Sequence, residues 1–129
     1  MAENSGFELR KHARFELFEY AMIRVEGRND PIRSVITDIS IGGTQVRCRH
    51  EIPSGLTCTL EMNHPETGEQ CVVHAEVRYC NTIPDSDLWG VGFRFTPATA
   101  EERVTIVRYV HGFFKVQGEL LLGEDEKSA

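Results

Sequence analysis

The sequence is poor in everything that staples or anchors a chain. Its four cysteines, Cys48, Cys58, Cys71 and Cys80, form no CxxC pair and have no histidine at zinc-site spacing, so they are expected to be reduced, structural thiols. The five histidines, His12, His50, His64, His74 and His111, share no spacing either, and no metal site is expected. No stretch approaches the ~18 apolar residues of a membrane span. Met1 to Lys11 lacks the apolar core of a signal peptide, which gives the expectation of a cytoplasmic protein without membrane insertion. Positive charge is scarce: 14 Lys and Arg stand against 20 Asp and Glu, a formal net charge of −6, which excludes sequence-independent binding to long nucleic acids. A small anion needs only a local basic patch. HExxH, GxSxG, GxxxxGK[ST] and kinase signatures are all missing, so the chain is not expected to be an enzyme.

What is present is a run of short strands. Leu56, Cys58, Leu60 and Met62 alternate with Thr57, Thr59 and Glu61, the period of a half-buried strand. Cys71, Val73, Ala75, Val77 and Tyr79 form the inward set of the next, and Trp89, Val91, Phe93 and Phe95 that of the last. Earlier runs, roughly 15–25 and 32–39, bring the count to about six, enough to close a small barrel. Segments rich in Pro, Gly, Asn and Asp lie between them, at 27–31, 51–55, 63–68 and 82–86.

Helix signals come only at the end. Thr96-Pro97 offers an N-cap with proline at the first helical position, and Thr99-Ala-Glu-Glu102 is a competing capping box. Ile106, Val107, Tyr109, Val110, Phe113 and Phe114 form a broad apolar stripe to about Val116, for the sheet or for a partner. Gly118 is the expected stop. The acidic remainder lacks the apolar content to order itself.

Two short patterns carry chemistry. Arg10 and Arg14, four positions apart, fall on the same side of the chain, and each guanidinium is a planar donor fork matched to phosphate oxygens and to the O6/N7 edge of guanine. Alone, such a pair also describes a solvated basic patch. In Asp38-Ile-Ser-Ile-Gly-Gly43, Asp38 and Ser40 share one face while Ile39 and Ile41 take the other and anchor it in the core. A carboxylate accepts from guanine N1 and N2, and Ser bonds base or phosphate. Gly42 and Gly43 permit positive φ or close backbone approach. The plainer alternative is a serine or Asx turn closing a hairpin.

Taken in this order, with a strand between them and Gly90-Val-Gly-Phe93 before a terminal helix, the two patterns resemble the PilZ domain family, whose signature is Arg-x-x-x-Arg followed by Asp or Asn-x-Ser-x-x-Gly. The resemblance covers about residues 7–116 and meets every specified position. It implies a mainly β fold, a six-stranded antiparallel PilZ-type barrel with a C-terminal helix. It also implies a receptor for cyclic di-GMP, a ligand rather than a cofactor, that changes conformation and regulates a protein effector. Arg10 and Arg14 then clamp guanine edges and phosphates, Asp38 and Ser40 contact the base, and Gly43 shapes the turn. The domain expected is 7–117, with 7–14 the clamp, 15–96 the barrel and 97–117 the helix, between a disordered 1–6 and a disordered acidic tail, 118–129. A PilZ-like adaptor that docks proteins without nucleotide is the alternative, and the chain is expected to be a monomer or homodimer.

Secondary ligand candidates are Leu9, Lys11, His12, Gly42, Arg47 and Arg94. Leu9, standing where a third arginine can bridge a second nucleotide, gives the expectation of one ligand per subunit. Arg47 and Arg49 alternate with inward Val46 and Cys48, and Trp89 is assigned to the core.

Overall fold

The computed structural model describes the backbone of residues 19–128 and the side chains of residues 19–118. Its elements are β1 (Glu19–Val25), β2 (Ile32–Ile39), β3 (Gly43–Cys48), β4 (Thr57–Asn63), β5 (Gln70–Thr82), β6 (Trp89–Phe95) and one helix, α1 (Ala100–Ser128). The strands close into an antiparallel barrel in the order β1-β2-β3-β6-β5-β4, β1 pairing with β4 to complete the ring. The mainly β, six-stranded barrel with a terminal helix is thus the observed architecture. The clamp residues Leu9, Arg10, Lys11, His12 and Arg14, with the first part of the expected 15–25 run, lie outside the described residues.

Alternation builds the core. Cys58, Leu60 and Met62 from β4, Cys71, Val73, Ala75 and Val77 from β5, and Val91, Phe93 and Phe95 from β6 all turn inward and are buried, each fully buried aliphatic side chain stabilising the fold by ~1.5–3 kcal/mol. Trp89 is partly buried against this cluster, as assigned. Burial pushes the Cys58 thiol up to about 11, so it keeps its proton and acts as a small apolar side chain.

Two β-bulges break the alternation. In β2, Ile36 pairs with Val46 but Asp38 with Gln45, so both Ile36 and Ile39 point inward. In β5, Val77 pairs with Phe93 but Tyr79 with Gly92, which turns Tyr79 out of the barrel. Tyr79 is 38% exposed, against its expected inward place. Ile41 also departs from expectation: it sits in the β2–β3 turn rather than in a strand and is 62% exposed.

The helix begins on the second of its two start signals. Thr99 Oγ1 accepts from Glu102 N at 3.1 Å, so Thr99, not Thr96, is the cap. Gly118 does not end the helix, which continues to Ser128. Glycine costs only ~1 kcal/mol relative to alanine inside a helix, and the Glu-Leu-Leu-Leu that follows favours helix strongly. The backbone of the expected disordered tail is therefore helical up to that point. Of the broad apolar stripe, Ile106, Tyr109, Val110 and Phe113 are buried on the barrel, whereas Val107 and Phe114 remain over 39% exposed at 44% and 40%.

Glu102 clasps the helix start to β5. Its Oε2 accepts from His74 N at 2.7 Å, and its Oε1 lies 2.8 Å from His74 Nδ1. Burial raises the carboxyl pKa, but the hydrogen bonds from His74 and from the Ala98 backbone outweigh it and hold the group below the ordinary carboxylate value. A depressed folded-state pKa means that the clasp stabilises above the unfolded value and is lost as pH falls through the folded one. Glu102→Ala is therefore expected to cost about 1.5 kcal/mol at neutral pH. Its thermal stability should converge with that of the parent chain at acidic pH, a convergence that melting curves from pH 7 to 3 will test.

Candidate functional site

The turn that carries Asp38, Ser40 and Gly43 is held by its own backbone and side chains. Ser40 N donates to Gly43 O at 2.8 Å, Gly42 N to Ser40 Oγ at 3.3 Å, and Thr44 Oγ1 to the Asp38 carbonyl at 2.6 Å. The serine thus forms the turn that the plainer sequence reading described, and its hydroxyl still faces solvent. Gly43 is required by close approach, not by positive φ. A Cβ placed there would lie 2.0 Å from the Phe93 carbonyl oxygen. Gly42 has only Ser40 Oγ near, at 3.9 Å.

This turn forms one wall of a shallow depression of about 300 Å³ on the outside of the barrel. Asp38, Ser40, Gly42, Gly43 and Arg94 line it, so five sequence candidates come together. Arg94 is paired with Glu76 at 3.1 Å. Arg47 lies elsewhere, two residues along β3, in the adjoining depressions.

Three exposed lining residues were missed by sequence reasoning: Gln45, Arg78 and Tyr79. The β5 bulge places the Tyr79 ring directly over Gly92, where a Cβ would meet its Cε2 at 2.2 Å, and the phenol oxygen bonds Gln45 Nε2. The one signal available in the sequence was Gly92 itself, a glycine within a strand that marks close approach of another group. Arg78 is exposed and makes no ion pair among the described residues. The site therefore offers a carboxylate, a hydroxyl, two guanidinium groups and an exposed aromatic face around a glycine floor.

The register also fixes where the chain enters. Glu19 stands opposite Ile36, two residues from Asp38, so the N-terminal segment joins the barrel at the end of β2 that bears the site. Arg14 precedes Glu19 by five residues, within roughly 17 Å of extended chain.

The structure defines a closed six-stranded barrel with a depression at its β2–β3 turn, and comparison gives it a family. The PilZ domain profile matches residues 8–112, and the chain belongs to that family. Among solved structures it is similar to the PilZ domain of CeSA from a cellulose-synthesizing bacterium, with 15% identity and a TM-score of 0.58 over 74% of this chain and 92% of that one. It is also similar to the PilZ domain with c-di-GMP of YcgR from Escherichia coli, at 18% identity and a TM-score of 0.61 over 83% and 88%. A third is the Bacillus subtilis inhibitor of motility MotI/DgrA, at 21% and 0.61, where 80% of this chain spans about half, 48%, of the other. At these identities the likeness is one of fold. No curated protein matches the chain. No helix among the described residues is long and apolar enough to cross a membrane.

Proposed function

We propose that the chain is a cyclic di-GMP receptor that returns its ligand unchanged and regulates a protein partner through a surface that changes on binding. The observation that carries this reading is the meeting of Asp38, Ser40 and Gly43 with Arg78, Tyr79 and Arg94 in one depression, at the end of the barrel where the arginine-bearing segment enters. Membership of the PilZ family and similarity to a domain solved with c-di-GMP support it. In this reading Asp38 accepts from guanine N1 and N2, Tyr79 gives a base a preset apolar face, and Arg10 and Arg14 close over the phosphates. Two arginines drawn onto one dianion change the surface around the site, and that changed surface is the output.

Calorimetric titration with cyclic di-GMP, beside GTP and cyclic di-AMP, tests the proposal. Saturable binding of cyclic di-GMP alone is expected, with one ligand per subunit. No heat at high micromolar ligand would sink it in favour of a nucleotide-independent adaptor. Asp38→Ala should narrow the preference for cyclic di-GMP over cyclic di-AMP more than it weakens general anion binding. Tyr79→Ala should weaken binding about tenfold, the worth of one base on an aromatic ring, while Tyr79→Phe keeps most of it. Equal affinities for parent and Tyr79→Ala would remove Tyr79 from the site.

A further inference from the structure

A second surface on the barrel has no part in that site. On the outer face of β1, β2 and β3, Tyr20 pairs with Val35 and Val35 with Arg47, while Met22 pairs with Arg33 one row along. These residues and Arg49 line a depression of about 680 Å³ that shares no residue with the one at the β2–β3 turn. Tyr20 is 69% exposed. Arg33 and Arg47 make no ion pair among the described residues, and Arg49 has only a loose contact with Asp87, at 4.0 Å between largely exposed side chains. Three guanidinium groups around an apolar centre, in a chain of net charge −6, call for an occupant that is both acidic and apolar.

The chain itself contains such a segment, Leu120-Leu-Leu-Gly-Glu-Asp-Glu126. Among described side chains the buried helix contacts end at Gln117, and the helix runs eleven residues further to Ser128, roughly 16 Å. Its own barrel is poorly placed to receive that segment. The helix is attached on the β5 side, by Glu102 to His74, the Arg108 carbonyl to His64, and Lys115 to Glu66. In the six-strand ring β5 stands opposite β2, which bears Arg33. We propose that residues 120–126 of one copy dock on the Arg33–Arg47–Arg49 face of a second copy, and reciprocally, to form a closed homodimer. Along a helix Leu121, Leu122, Asp125 and Glu126 share one side by the 3.6-residue period, so two leucines meet the apolar centre formed by Tyr20, Met22 and Val35 while two acids one turn on meet the arginines. A twofold exchange satisfies both faces at once and leaves none open for further growth.

Sedimentation equilibrium of the full chain without nucleotide tests this independently of ligand binding. A dimer that weakens with added salt is expected. Arg33→Glu with Arg47→Glu, and separately Glu124→Arg with Asp125→Arg and Glu126→Arg, should each weaken it at least ~100-fold. Circular dichroism should show both variants folded, since the reversed barrel positions are exposed. Mixing the two variants pairs each reversed face with its complement and should restore a dimer of one copy of each. A chain that stays monomeric at all concentrations would overturn the proposal. So would a dimer that survives either reversal, which would point instead to the exposed helix face of Val104, Val107 and Phe114.

Discussion

Cyclic di-GMP binding is expected to fall by roughly 10²- to 10⁴-fold when Arg10→Ala and Arg14→Ala are combined, since each removes a charge-assisted contact worth about 1.5–3 kcal/mol and each 1.4 kcal/mol is a factor of ten. In the proposed complex the two side chains address one dianion, so the lower part of the range applies where their contacts overlap. Stability should not follow. Both positions precede the first described strand, Glu19–Val25, and the barrel closes without them. The measurement is therefore paired: calorimetry for affinity and a melting curve for the fold. The remaining affinity of the double variant should also depend less on salt than that of the parent, because fewer charges meet the phosphates. Unchanged affinity would take both arginines out of the site, whereas a lowered melting temperature would make them structural.

Gly43→Ala is expected to give the largest loss of stability from any single methyl group in the turn. The added carbon meets a backbone carbonyl at 2.0 Å, and that carbonyl cannot swing away because Phe93 is paired with Thr44 across the β3–β6 ladder. Relief requires the strands to part, at a cost of about 1–3 kcal/mol or more by analogy with overpacked cores. Gly42→Ala is the internal control, with its nearest neighbour at an ordinary 3.9 Å. The two chains differ in composition by nothing, so the gap between their denaturation midpoints isolates the close approach. Equal midpoints would show that the strands yield freely. Because Gly43 also floors the depression beside Asp38 and Ser40, any displacement of β3 from β6 should weaken ligand binding as well.

Much of the barrel was legible because its evidence is local. Cys58, Leu60 and Met62 alternate with polar neighbours, and one residue of context is enough to see which way each points. The two bulges are not local. Whether Arg78 adds a residue to β5 depends on how Val77 and Tyr79 register against Phe93 and Gly92, some 14 residues away in the chain, and nothing within β5 declares it. Tyr79 was therefore assigned to the core, and the site lost its aromatic face in the sequence reading. Ile41 failed for the opposite reason: a period of two was carried past the end of the strand into a turn. At the helix, two valid caps competed, and the choice of Thr99 depended on Glu102 finding His74, a tertiary contact. Asp38, Ser40 and Gly43 were legible as a group since turn chemistry and glycine are written in consecutive residues.

The closed ring of strands has a bearing on how a signal can leave the domain. Every described strand already has two neighbours, so among the described residues there is no free edge on which a partner can add a strand of its own. Recognition by backbone pairing, which reads little of the sequence, is closed to the six described strands. A partner that meets the described barrel therefore meets side chains on its outer wall or along the helix, and the fidelity of such a contact can be rewritten one surface residue at a time without touching the core.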